Sequence, residues 1–90
     1  MFTLQEYLDD IRDELIEYHY DECRSFIVSD GDNVLEFSSA IEEIGPEKWD
    51  VIVTIVENGE CIYSNLYPED TLDMLCDKYY DTMFFEVEGD

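Results

Sequence analysis

The chain has 90 residues, of which 46% are hydrophobic, and a formal charge of −21 that arises from 25 acidic and four basic side chains. That length allows one domain, residues 1–90, and the apolar content excludes a simple disordered acidic tail. The charge excludes direct binding to nucleic acid and to anionic membranes, and it favours a basic protein surface as the partner.

The sequence also indicates where the protein works. No apolar run approaches the length of a membrane span, and the N-terminus lacks the basic-then-apolar pattern of a secretory signal. Cys23, Cys61 and Cys76 are odd in number and have no paired framework, which favours reduced thiols. We therefore expect a cytoplasmic protein.

The first predicted element is an amphipathic helix over residues 3–21. Thr3 and Glu6 have the spacing of an N-terminal capping box. An apolar stripe follows at intervals of three and four residues, formed by Leu4, Leu8, Ile11, Leu15 and Tyr18. The rest of the helix surface carries an acidic face: Glu6, Asp9, Asp10, Asp13, Glu14, Glu17 and Asp21.

This acidic face is not needed for folding. Like charges four residues apart destabilise a helix by about 0.2–0.5 kcal/mol per pair, and the face contains several such pairs, for example Asp9–Asp13 and Asp13–Glu17. Its seven charges are spread over about 22 Å of helix, or about one per 3 Å, close to the roughly 3.4 Å between phosphates along a DNA strand. The face therefore predicts a surface that presents the charge of nucleic acid to a protein.

Two hairpins are predicted next. Residues 23–29 and 34–38 read as strands joined by a turn at 30–33, and residues 39–48 read as a connection that contains a helical turn. Residues 49–57 form the strongest strand, which is apolar on both faces and is therefore expected to be central and covered on each side. Asn58-Gly59 predicts a type I′ turn into a returning strand over residues 60–66.

Pro68 opens the second predicted helix. Its expected buried stripe is Leu72, Leu75, Tyr79 and Met83, and its acidic edge is Asp70, Asp73, Asp77 and Asp81. We expect Asp73, Asp77 and Asp81 to extend the partner-binding face of the first helix. Residues 84–87 form either a short fifth strand or a packed tail. The predicted fold is a single α+β domain, in the order helix, hairpin, hairpin, helix, with a four-stranded antiparallel sheet.

Tyr20 is the candidate interface anchor, since by helical angle it falls within the acidic face, with Ile16 at its border. The alternative is that both side chains pack under the sheet or the tail. Tyr63, Tyr67 and Tyr80 are weaker candidates.

Other chemistry has weaker support. His19, Cys23, Cys61 and Cys76 do not follow a zinc-site spacing, and buried thiols beside a helix-end histidine explain them more simply. The turn at residues 30–33 has calcium-like oxygens but lacks the rest of an EF-hand loop. No paired carboxylates or activated nucleophile stand out, so we expect no catalytic residue, metal or cofactor.

A short, extremely acidic α+β chain with an acidic helix face and no catalytic motif resembles, as a class, the phage-encoded inhibitors of bacterial defence, namely the anti-CRISPR and antirestriction proteins that act as DNA mimics. The resemblance implies a non-enzymatic inhibitor, acting in the bacterial cytoplasm, that occupies the basic groove of a nuclease or CRISPR effector. One alternative is an immunity or antitoxin protein that plugs a cognate nuclease toxin. Another is an acidic interaction module without any link to nucleic acid. A monomer and a homodimer both remain open.

Overall fold

The computed structural model describes residues 1–16, 24–66 and 68–87, with the backbone alone described at Asp13, Ile16 and Arg24. In these residues the elements follow one another as β1 (Phe2–Thr3), α1 (Leu4–Ile16), β2 (Arg24–Ser29), β3 (Val34–Gly45), β4 (Lys48–Glu57), β5 (Glu60–Asn65), α2 (Glu69–Lys78) and β6 (Met83–Val87). The six strands form one antiparallel sheet in the order β1-β6-β2-β3-β4-β5.

Local signals in the sequence explain the ends of several elements. The backbone N–H of Glu6 donates to Thr3 Oγ1 at 3.2 Å, which caps α1. Asn58 and Gly59 have φ angles of 52° and 84°, as the predicted type I′ turn between β4 and β5 requires. Asn58 also accepts from the Val34 N–H at 2.8 Å and so ties this turn to the start of β3.

The core lies between the two helices and one face of the sheet. α1 contributes Leu4, Tyr7, Leu8, Ile11 and Leu15, α2 contributes Leu72 and Leu75, and the strands contribute Val28, Leu35, Phe37, Val53, Ile55 and Phe84. Burial of each such large aliphatic side chain stabilises the fold by about 1.5–3 kcal/mol. The predicted apolar stripes of both helices are therefore confirmed as far as Leu15 and Tyr79.

The α+β class is confirmed, but the predicted four-stranded sheet and the order of its elements are wrong in detail. β1 precedes α1, and β6 follows α2 and lies between β1 and β2. Phe2 of β1 and Val28 of β2 both pair with β6, opposite Phe84 and Glu86. Residues 84–87 are therefore part of an internal strand and not a packed tail.

The predicted connection at residues 39–48 is also wrong, because β3 continues through it. Ala40 pairs with Ile52 and Ile41 with Val51, so cross-strand pairing with β4 prevails over the local helical tendency of this stretch. The strands turn at Pro46-Glu47, where Glu47 has a φ of 59°.

The predicted buried position of Met83 is wrong as well. α2 ends at Lys78, and the Thr82 N–H donates to the Tyr79 carbonyl at 3.0 Å in the turn that follows. Met83 then begins β6, where its side chain is 43% exposed. β4 is internal as predicted, but among the described elements only one of its faces has helices packed against it.

Neither helix of the described residues combines the length and the apolar character that a membrane-crossing helix needs.

Candidate protein-interaction surface

The acidic face of α1 is exposed wherever the structure describes its side chains. Glu6, Asp9, Asp10 and Glu14 lie on the solvent side, opposite the buried apolar stripe. Glu17, Tyr20 and Asp21 lie outside the described residues, as does the Asp13 side chain, so their predicted roles stay predictions.

One edge of α1 faces α2. The pKa of the Cys76 thiol is raised, first by burial and then by the carboxylates of Asp73, Asp9 and Asp77, while Arg12 opposes the shift. Charges act on a thiol in this way only when they lie close to it. Asp9 of α1 and Asp73 and Asp77 of α2 are exposed and lie near enough to Cys76 to act on it where the two helices are in contact. We call these three residues the acidic seam.

The acidic seam has little positive charge to balance it. Arg12 approaches Asp9 at 3.9 Å, and the side chains are 41% and 59% exposed, so this contact is weak. Gln5 donates to the same Asp9 carboxylate at 3.0 Å. The seam therefore keeps most of its negative charge available to a partner.

The other edge of α1 faces the sheet. Burial and the charges of Glu86 and Glu14 raise the pKa of Tyr7, which stacks on Phe2 with 4.9 Å between ring centroids. Glu86 of β6 and Glu14 of α1 are thus both near enough to Tyr7 to act on it, so exposed acids are found on β6 as well as on the two helices. The sequence interpretation missed Glu86, which shares the face of the buried Phe84 on β6 and pairs with Val28, yet is exposed.

Asp81 and Tyr80 lie at the end of α2. Asp81 is exposed in the turn after the helix, not within it as predicted. Tyr80 is 75% exposed and lines a hollow of about 200 Å³, together with Gln5 and Asp77, where α1 begins and α2 ends. Tyr80, ranked low from the sequence, is the exposed aromatic side chain that the structure brings to the acidic seam.

Lys78 forms an ion pair with a carboxylate on β4. Its Nζ donates to Glu57 at 2.7 Å, and the Tyr79 hydroxyl donates to the same carboxylate. These two bonds lower the pKa of Glu57, with the Lys78 bond as the larger cause. This contact fastens the end of α2 to β4 and thereby holds α2 in place beside α1.

A second acidic region is the β3–β4 ribbon, residues 40–52. β2 pairs with β3 only as far as Ser39, and β5 pairs with β4 only as far as Val53, so the described ribbon is two-stranded beyond those positions. Its exposed acids are Glu42, Glu43, Glu47 and Asp50, with Lys48 as its cation. The sequence interpretation missed this region because it treated most of it as a loop.

The described residues include some of the candidates for metal binding and nucleophilic chemistry that the sequence offers. They contain no group of three or more His, Cys, Asp or Glu side chains arranged to hold a metal ion, and His19 and Cys23 lie outside them. A raised pKa keeps the Cys76 thiol protonated and therefore a poor nucleophile. The Asp30 carboxylate accepts from the N–H groups of Asp32 and Asn33 at 2.9 and 2.6 Å, as in an ordinary Asx turn.

Comparison of the chain with protein-family models, with curated proteins and with solved structures returned no match.

Proposed function

We propose that this protein is a non-enzymatic inhibitor that mimics nucleic-acid charge and occupies the DNA-binding groove of a bacterial defence nuclease or CRISPR effector. The observation that carries the proposal is the acidic seam, in which exposed carboxylates from two helices that are in contact lie on the side of one half-buried thiol. Packing of the core does not require this arrangement, because all three carboxylates lie outside the core. Repulsion among them lowers stability, so a role in recognition accounts for them better than a role in folding.

The mechanism is competitive. Lys and Arg side chains that hold phosphates in the partner's groove pair instead with Asp9, Asp73 and Asp77, and with Glu6, Asp10 and Glu14 along α1. Long-range attraction between the charge of −21 and a basic groove makes association fast and salt-sensitive. Burial of an aromatic side chain such as Tyr80 then slows dissociation.

The distribution of charge supports a groove as the binding site. Exposed acids are present on α1, on α2 and on β6, and a flat basic patch would reach only some of them. A groove with basic walls contacts several sides of the helix pair at once. We place this action in the host bacterial cytoplasm, by a monomer or a homodimer.

A capture experiment tests this function. The tagged protein is incubated with a lysate that contains restriction enzymes and guide-loaded CRISPR effectors. Bound proteins are eluted with a salt gradient in one sample and with competing duplex DNA in a parallel sample. We expect a nuclease or effector that elutes with DNA and at moderate salt. A partner that remains bound through both elutions contradicts the mimic, since DNA and the inhibitor would then occupy different sites.

A further inference from the structure

The β3–β4 ribbon projects from the body of the protein. Between Ala40 and Gly45 it extends about 17 Å at the usual rise per strand residue. The molecule measures 43 Å along its longest axis and 27 and 23 Å along the others. A ribbon that reaches beyond the helix-covered core contributes little to that core.

Two large apolar side chains lie near the tip of this ribbon and are open to solvent. Trp49 is 57% exposed and Ile44 is 50% exposed, whereas Ile41 and Val51, closer to the body, are half-buried. Glu43 lies directly opposite Trp49 across the ribbon, and Ile44 follows it at the register shift. Tryptophan is among the residues most enriched in interface hot spots.

The charges of the ribbon act against its own pairing. Glu42 lies directly opposite Asp50 across the two strands, and like charges in that position destabilise a sheet. Glu47 adds a third acid at the turn. Its backbone has a left-handed conformation, which costs free energy in any residue with a side chain. Neither feature helps the ribbon to form, and both increase the negative charge around Trp49.

We infer that the ribbon is a second contact with the same partner, in which Trp49 enters an apolar socket in the wall of the basic groove. This inference rests on the proposed function. Acids on both sides of Trp49 favour a socket rimmed by Lys and Arg. They also disfavour a second copy of this chain as the occupant, because two ribbons, each with four acids and one cation, would then lie against each other.

The ribbon and the acidic seam have different roles in this complex. The seam attracts the partner over a distance, so it sets the association rate and its dependence on salt. The ribbon acts after contact through burial of apolar surface, so it sets the dissociation rate. The two roles are measurable separately.

Trp49 is the sole tryptophan of the chain, so its fluorescence reports on the ribbon without any mutation. The native protein is titrated with a panel of purified proteins: a guide-loaded single-subunit CRISPR nuclease, a type I restriction enzyme and a non-specific bacterial endonuclease. With a panel member that binds, we expect a blue shift of Trp49 emission and protection from acrylamide quenching. Poly-lysine, which offers charge without a socket, is expected to leave the emission unchanged.

A variant pair completes the test. Trp49→Ala is expected to speed dissociation and weaken binding by at least about 30-fold, with the association rate and its salt dependence unchanged. Phe85→Ala is the matched control, since Phe85 is an aromatic side chain of similar exposure, 43%, on β6. It is expected to leave the dissociation rate within about twofold of the native value.

The outcomes separate the two proposals. If a panel member binds and Trp49 emission does not change, the proposed contact through the ribbon is contradicted, but the proposed mimicry of nucleic acid is not. Failure of every panel member to bind contradicts the proposed function and the ribbon with it. A blue shift that grows with protein concentration in the absence of any partner identifies a second copy as the occupant and also overturns the ribbon proposal.

Discussion

The acidic seam and the ribbon are both strongly negative, but the structure supports their charges in different ways. Beneath the seam, Leu8, Leu72 and Leu75 are buried in the core, and burial of this kind offsets the repulsion above it. The ribbon has no described core beneath its tip, and pairing between β3 and β4 holds it together. The fold therefore tolerates clustered acids over a packed layer more readily than on a free ribbon.

The comparison also separates specificity from attraction. Both regions attract a basic surface, but each has one large aromatic side chain that attraction alone does not explain: Tyr80 at the seam and Trp49 on the ribbon. Aromatic contacts require a close fit and so depend on the particular partner. We expect charge to bring many basic proteins near and the two aromatic side chains to select among them.

The largest effect is expected from reversing the seam. Replacing Asp9, Asp73 and Asp77 with Lys adds two charge units at each position and takes the formal charge from −21 to −15. We expect binding to the captured partner to weaken at least about 100-fold, mainly through slower association, because close charge pairs across interfaces are strongly coupled. Surface plasmon resonance at two salt concentrations measures both rates.

The control for this variant has the same net charge. Asp32, Glu36 and Glu60 lie in turns or on the sheet, away from the seam, and replacing them with Lys also gives −15. If this control weakens binding as much as the seam variant does, net charge alone drives association and the seam is not the contact surface.

A smaller effect, on stability, is expected at the contact between the end of α2 and β4. Tyr79→Phe removes the hydroxyl that donates to Glu57, and hydrogen bonds to charged groups contribute about 1.5–3 kcal/mol to stability. We expect the free energy of unfolding in urea to fall by about that amount. Binding should weaken too, because α2 carries two residues of the seam.

The same contact predicts a pH dependence. The pKa of Glu57 is lowered in the folded protein, chiefly by Lys78, so the resulting stability is present above the ordinary glutamate pKa and is lost as the pH falls through the lowered value. Lys78→Met should therefore destabilise the protein at neutral pH and differ progressively less from the native protein in acid. A difference that stays constant down to strongly acidic pH contradicts the assigned role of this ion pair.

On the ribbon, Glu47→Gly is expected to increase stability by about 1 kcal/mol, because glycine adopts the positive φ of 59° without strain. Asn58→Gly is the matched comparison, since Asn58 also has a positive φ but bonds to Val34 and Asn33. We expect that change to lower stability. Urea unfolding followed by Trp49 fluorescence and by circular dichroism measures both variants.

The smallest effect is expected at Tyr7. Its hydroxyl is buried and has no hydrogen-bond partner among the described residues, in contrast to that of Tyr79. Tyr7→Phe should therefore leave stability unchanged or raise it by no more than about 1 kcal/mol, since it removes a buried polar group without a partner. A loss as large as that of Tyr79→Phe would show that this hydroxyl has a partner outside the described residues.

Much of the secondary structure is readable from the sequence because its causes are local. The periodic apolar residues of α1, the Thr3 cap and the Asn58-Gly59 turn each depend on neighbours a few positions away. The acidic face of α1 follows from the same periodicity, so the exposure of Glu6, Asp9, Asp10 and Glu14 was predictable.

The errors share a different cause. Residues 39–44 have a local helical tendency, but Ser39, Ala40 and Ile41 find their pairing partners about ten to 14 positions away on β4. β1 is only two residues long and has a partner, β6, at the opposite end of the chain. Local pattern does not reveal such partners, so β1 and the extension of β3 that forms one side of the ribbon were missed.

The sequence alone establishes an α+β domain with far more acid than its folding needs, because composition and periodicity are properties of the chain itself. Tertiary packing decides which acids become neighbours. Asp9 is more than 60 positions from Asp73, and only the packing of α1 beside α2 brings both to Cys76. The candidate binding surface arises there, since an interface depends on spatial proximity and not on distance along the chain.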